Sequence, residues 1–371
     1  MWRRLANLPI DWLLLLLPIL LSVTGIVTVY TITYSQAGGD FAPDQIKFAL
    51  IGLVLMLTLT FYDYRFLRSY GVIFYVLGLA LLLTLLPFIA PSLPFTLKIY
   101  GAYRWLDFGA FQLQPSELFK FIAAVFGAAV LANYIGRINW RRATAFIVLA
   151  LVPVLLTAVQ PDLGTASVLF IIFLGIFFAA LPPGKIVIAL ILATLVLVPI
   201  GWSNLQGYQK QRIETFLNPS ASPSAEGYNV RQSVIAIGSG GLTGRGFGQG
   251  SQTALSFLPV AYTDFVFAGF AEATGLVGSS VLLLLYGILI WRIIMIARET
   301  TDPFAQLLAI GFASKFLFQM TVHVGMNMGL LPVTGIPLPF MSYGGTALVI
   351  DLAAIGILQS IHIRHKKINF R

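Results

Sequence analysis

Apolar residues run through this chain in long blocks. The first extends from Ile10 to Thr33, and blocks of similar length return at intervals to the C-terminus. Each reaches the roughly 20 residues that a helix needs to cross a bilayer. In lipid the backbone amides must pair within their own segment or around a closed barrel. Barrel strands alternate over about 10 residues, whereas Leu13 to Leu17 and Val281 to Leu285 are unbroken apolar runs. The pattern therefore predicts an all-α polytopic membrane protein of about ten transmembrane helices. The spans fall near 10–33, 45–61, 69–90, 116–135, 142–159, 163–181, 185–201, 264–297, 304–330 and 343–363.

Composition agrees. Apolar residues make up 58% of 371 positions and charged residues 10%, against about 25% charged in a soluble domain. The chain reads as one integral-membrane domain, 1–371, with outer loops at 91–115 and 202–263. Met1-Trp2-Arg3-Arg4 and the following apolar run have a signal-peptide look. That run exceeds a secretory core of about 7–15 residues and is read as the first anchor. No cysteine is present, which excludes disulfides, thiolate catalysis and cysteine-ligated metals.

The net charge of +9 reports topology. With the N-terminus placed inside, fourteen basic residues fall on the cytoplasmic side and eight outside, four of these in the 202–263 loop. Long loops count little in the positive-inside rule, so both termini are expected in the cytoplasm. Contact with anionic lipid heads explains the charge without nucleic acid. The long outer loop lies between helices 7 and 8, and loops of that length usually carry function. The 91–115 segment, with Trp105 and Phe111, is expected at the membrane interface.

Candidate chemistry collects on the outer side. Seven glycines between Gly238 and Gly250 offer a hinge for ligand entry, or a phosphate cradle of bare amides with Arg245. No P-loop signature accompanies them. Asp264 follows Thr263, the better N-cap candidate, at the start of the eighth span. It is either a helix-start acid stabilised by the dipole or a base whose pKa is raised by partial desolvation. Glu272, Lys315 and Asp351 lie inside spans, where a charge is paired or functional, and Lys315 with Glu272 or Asp351 is the expected pair. Gln114-Pro115-Ser116-Glu117 and Gln160-Pro161-Asp162 carry helix-start grammar, with Asp162 as a cap candidate. Glu117 and Lys120 are i,i+3 neighbours, with Lys120 placed where an anionic lipid head would lie. Pro337, Pro339, Ser342 and Gly344-Gly345 form a charge-free, re-entrant-looking turn. The three histidines have no metal-ligand spacing, and no metal ligands are assigned.

In order along the chain, Gly101-Ala102-Tyr103-Arg104-Trp105, Gln114-Pro115-Ser116-Glu117, Gln160-Pro161-Asp162-Leu163-Gly164-Thr165, the glycine-rich loop, Thr263-Asp264-Phe265 and Pro339-Phe340-Met341-Ser342-Tyr343-Gly344-Gly345 resemble the SEDS family (shape, elongation, division, sporulation), and its RodA-like branch in particular. The resemblance implies ten transmembrane helices and glycosyltransferase activity on lipid II, an undecaprenyl-pyrophosphate-linked disaccharide. It implies a class B penicillin-binding protein as partner, alongside other cell-elongation proteins. The family's catalytic aspartate matches Asp264, and its salt-bridged Glu and Lys match Glu117 and Lys120. The family usually carries Pro-Glu-x-His-Thr-Asp at this aspartate, whereas Val260 and Tyr262 stand here in place of the Glu and His.

The expected function is thus polymerisation of lipid II on the outer face of the cytoplasmic (inner) membrane during cell elongation, with inversion at the anomeric carbon. Asp264 would be the base. Arg104, Lys120, Arg212, Arg231 or a divalent cation (Mg2+ or Mn2+) would meet the pyrophosphate charge, with Glu117, Asp162 and Glu272 in support. No organic cofactor is expected. The alternatives are a lipid II flippase, which Lys315, Glu272 and Asp351 favour, and a non-catalytic cell-wall scaffold.

Overall fold

A computed structural model describes residues 9–34, 41–99, 101–109, 111–192, 216, 225–255, 257–258 and 260–368. The helices are α1 Trp12–Thr33, α2 Ala42–Phe61, α3 Arg65–Thr84, α4 Pro115–Leu131, α5 Trp140–Val159 and α6 Leu163–Ala179, then α7 over 184–192. They continue with α8 Ala225–Ser239, α9 Ser251–Ala254, α10 Val266–Glu299, α11 Pro303–Asn327 and α12 Gly345–Ile368. Among the described residues, eight helices are long and apolar enough to cross a membrane. The sixth expected span is α6, 17 residues long. Much of the seventh lies outside the described residues.

Local chemistry explains the helix starts. Asp11 Oδ1 accepts the Leu14 amide at 3.0 Å, and Asn139 Oδ1 caps α5 in the same way through Arg142. Proline occupies the first turn of α2, α4 and α11, where its missing N–H is no loss. Burial then sorts the bundle. In α4 and α12, 78% of the span is enclosed, against 22% in α2 and α5. The central helices are thus α4, α6, α11 and α12, and lipid-facing helices surround them.

The chain alternates between two ends. One gathers the 62–64, 132–140, 180–184 and 299–303 turns with the C-terminal part of α12, and holds Arg65, Arg68, Arg137, Arg141, Arg142, Lys185, Arg298 and Arg364. The other gathers the 85–115, 160–162 and 328–344 segments with the start of α10. The 91–115 segment there is a folded element. Strands β1 Thr96–Ile99, β2 Ala102–Asp107 and β3 Gln112–Leu113 make an antiparallel sheet in the order β1-β2-β3. Phe108 and Phe111 pair on its exposed side at a centroid distance of 5.2 Å, as an interfacial anchor would.

Candidate active site

Helix α10 begins at Val266, and Asp264 stands in the turn before it. The Thr263 and Asp264 amides donate to Val260 O at 3.2 and 3.3 Å, with Val260 at φ 55°. That left-handed conformation is uncommon for a β-branched residue and marks a tightly constrained turn. Thr263 is not the N-cap that its position suggested, because its hydroxyl points back to Val260 O at 3.4 Å. Nor is Asp264 an acid of the first turn, which contains none. The cap comes from α11, where Asn327 Oδ1 accepts the Ala268 amide at 3.0 Å.

Neighbouring segments fasten this turn through its main chain. Asn327 Nδ2 donates to Asp264 O at 3.0 Å, Ser342 Oγ to Thr263 O at 2.7 Å, and the Tyr343 amide to Tyr262 O at 2.9 Å. The Asp264 carboxylate is half-buried and faces Gly335, where an added Cβ would lie 3.8 Å from Oδ2. Tyr262, at the position of the family's histidine, stacks on Phe41 at 4.7 Å and meets Tyr343 edge-on, so it serves aromatic packing here.

Glu272 holds the glycine-rich loop. Fully buried two turns into α10, its carboxylate accepts the Gln252 amide at 2.8 Å and the Thr253 amide and hydroxyl at 3.1 and 2.9 Å. Lys315, the cation expected beside it, pairs instead with Asp351. Part of the glycine run packs against α10. Gly275 breaks α10 with φ 66° and ψ −163°, a conformation essentially restricted to glycine. Into the opening the loop sends the Arg245 and Gly246 amides, which donate to Glu272 O and Ala273 O at 3.0 and 2.9 Å. The Leu276 and Val277 amides return bonds to Gly241 O and Leu242 O. Those loop amides are committed to α10, and the backbones approach too closely for side chains: a Cβ on Gly275 would lie 2.4 Å from Gly244 N.

The remaining motifs meet around the same end. Arg104, from β2, donates through Nε to Gln160 O at 3.3 Å and through Nη2 to Pro161 O. Asp162 caps α6 by accepting the Thr165 amide at 3.0 Å. The start of α6 packs on the 334–336 segment that Asp264 also faces. Thr346 Oγ1, at the start of α12, accepts the Gln114 amide at 3.3 Å, which joins the head of α4 to this cluster. The re-entrant turn is enclosed, with Ile336, Leu338, Phe340 and Met341 all buried.

Among the described residues, two ion pairs are almost wholly enclosed. Glu117 and Lys120 pair at 2.5 Å, both buried. Lys120 therefore does not stand at a lipid head: α4 is among the most enclosed helices, and its first turn points into the bundle. Lys315 pairs with Asp351. Arg231 is half-buried on α8, and Arg212 lies outside the described residues. Among the described residues no three His, Asp or Glu side chains converge to hold a metal ion.

Asn327 and Thr346 are site residues that the sequence reading missed, and Ser342 was seen there only as part of a turn and a motif, without its bond to Thr263. They are neutral, and their partners lie 63, 79 and 232 residues away. For Asn327 and Thr346 the signal was position, at the end of α11 and the start of α12.

Comparison with known proteins follows this geometry. A family model for the FtsW/RodA/SpoVE cell cycle proteins matches residues 7–367. The peptidoglycan glycosyltransferase MrdB of Escherichia coli K12 is 35% identical over 357 residues, covering 95% of each chain. A solved chain from a peptidoglycan synthase complex, described for its structural coordination of polymerization and crosslinking, superposes with a TM-score of 0.81 at 30% identity, covering 96% of this chain and 98% of that one. The rod shape determining protein RodA of Thermus thermophilus superposes with a TM-score of 0.70 at 28% identity, covering 96% and 98%. With motifs, fold and full-length similarity in agreement, this polytopic membrane chain belongs to the FtsW/RodA/SpoVE family of cell cycle proteins.

Proposed function

We propose that this protein is a peptidoglycan glycosyltransferase of the elongation branch, polymerising lipid II at the outer face of the cytoplasmic membrane. The observation that carries the reading is the placement of Asp264: a half-buried carboxylate in a clamped turn outside α10, at the end where the motifs meet. The opposite end carries the basic residues, which the positive-inside rule assigns to the cytoplasm. A lipid-linked sugar in the outer leaflet then meets Asp264 at membrane depth.

Asp264 takes the proton from the acceptor sugar's 4-hydroxyl as that oxygen bonds to the donor's anomeric carbon. The bond to the lipid pyrophosphate breaks on the opposite side, inverting the centre and releasing the polyprenyl pyrophosphate. Arg104, held against the 160–161 turn, and the loop residues Arg212 and Arg231 are the cations proposed to meet its charge. Glu117 and Lys120 support α4 from within as a neutral pair. A divalent cation, Mg2+ or Mn2+, is proposed to enter as the counter-ion of the substrate's pyrophosphate, since the described residues offer no protein-built cage. The charges that favoured a flippase are used elsewhere: Lys315 and Asp351 neutralise one another, and Glu272 anchors Thr253. A class B penicillin-binding protein is the proposed partner, in keeping with the resemblance to a synthase that couples polymerization to crosslinking.

The test is incubation of the purified chain and its partner with lipid II. Glycan polymer with inverted linkages is expected. Lipid II movement across vesicles without polymer would replace this reading with the transporter.

A further inference from the structure

We propose that Asn327 is the positioning residue of the reaction, holding the Asp264 turn at the head of α10; this rests on the reading of Asp264 as the base. Asn327 is fully buried at the end of α11. Its Nδ2 donates to Asp264 O at 3.0 Å and to His323 O at 2.8 Å, while its Oδ1 accepts the Ala268 amide at 3.0 Å. One amide group thus spans the junction between turn and helix, gripping the residue that carries the base on one side and the first turn of α10 on the other.

The chemistry of the position selects the side chain. It must donate twice and accept once within one planar group, which a carboxylate or an apolar residue cannot do. Phe265 makes no side-chain cap, and the Thr263 hydroxyl points to Val260 O. With this clamp removed, the Asp264 carbonyl loses its bond to Asn327 and the Ala268 amide keeps only Phe265 O, at 3.1 Å. Ser342 and Tyr343 fasten residues 263 and 262, whereas the bond from Asn327 ties residue 264 itself to α11. Misplacing a catalytic group by about 1 Å can lower a rate about 10²-fold without weakening substrate binding.

The discriminating experiment measures glycan polymerisation by the full chain with its partner, with rates referred to folded, monodisperse protein. Asn327→Asp keeps the acceptor for Ala268 but turns a second oxygen toward two carbonyls, and Asn327→Ala removes the clamp without adding charge. Both are expected to lose roughly 10–100-fold in kcat with KM for lipid II within about threefold of wild type. Ser233→Ala, which deletes a bond to the Asn327 carbonyl and leaves the clamp intact, is expected to stay within about threefold in kcat. Full kcat in either folded Asn327 variant, with Asp264→Asn inactive, overturns the positioning role and leaves the base assignment standing. So does a loss that appears in KM, or an equal loss in Ser233→Ala. Full activity in Asp264→Asn instead overturns the reading on which the proposal rests. Should Asn327→Asp not yield folded protein, Asn327→Ala decides alone.

Discussion

Glu272 accepts both the main-chain amide and the hydroxyl of Thr253, at 3.1 and 2.9 Å, two turns into the helix whose head carries the Asp264 turn. Residues 253 and 264 are therefore both fixed to α10, one to its interior and one to its first residues. The end of the outer loop and the candidate base share one rigid frame, so a displacement of α10 moves them together.

That frame predicts a stability effect. Glu272→Gln replaces one acceptor oxygen with an amine facing donors, leaving a buried group unpaired at about 1–3 kcal/mol. Gly250→Ala acts at the same contact, because its Cβ would lie 2.4 Å from the Glu272 carboxylate. Both variants are expected to lower the midpoint of thermal unfolding in detergent. Unchanged midpoints would mean that the loop does not lean on Glu272.

The Lys315–Asp351 pair predicts a different pattern. Both side chains are almost wholly enclosed, so removing one partner strands a buried charge at about 3–5 kcal/mol. Lys315→Met and Asp351→Leu are each expected to destabilise strongly. The double variant Lys315→Met with Asp351→Leu is expected to recover most of the loss in the same unfolding assay. A double variant as unstable as the sum of the singles would contradict a purely mutual neutralisation.

At the basic end, the Tyr64 hydroxyl donates to Asp302 Oδ2 at 3.0 Å. Burial, reinforced by the Asp302 charge, pushes the Tyr64 pKa up to about 12. The folded state then holds this proton more tightly than the unfolded chain, whose tyrosines titrate near 10. Its contribution is present in full below about pH 10 and lost as pH rises toward 12. Tyr64→Phe is expected to lower stability by about 1.5–3 kcal/mol at neutral pH. The gap to wild type should be constant between pH 6 and 9 and narrow above 10, as read by unfolding midpoints across pH.

What the sequence disclosed and what it concealed divide along range. The Asp162 cap, the Glu117–Lys120 pair and the helical spans follow from residues within a few positions of one another, and short-range rules recover them. That Lys315 pairs with an acid was legible because an intramembrane charge demands a partner, but the choice of Asp351 over Glu272 came from the fold. The cap of α10 was not. Thr263 has the right chemistry and position, yet Asn327, arriving from another helix, takes the role because α11 ends beside the turn. The packing of the glycine run on α10 was hidden for the same reason. Its use depends on Gly275, a break in a helix beyond the loop, against which the backbone packs. The sheet at 96–113 was hidden by its brevity, since strands of four, six and two residues show little periodicity.

The most direct measurement is the rate of glycan polymerisation from purified lipid II, with a class B partner, for wild type and Asp264→Asn. The substitution keeps the size of the side chain and removes only its ability to take a proton. The account predicts a folded variant that binds lipid II and loses about 10² or more in kcat. A folded Asp264→Asn that polymerises at the wild-type rate would contradict it.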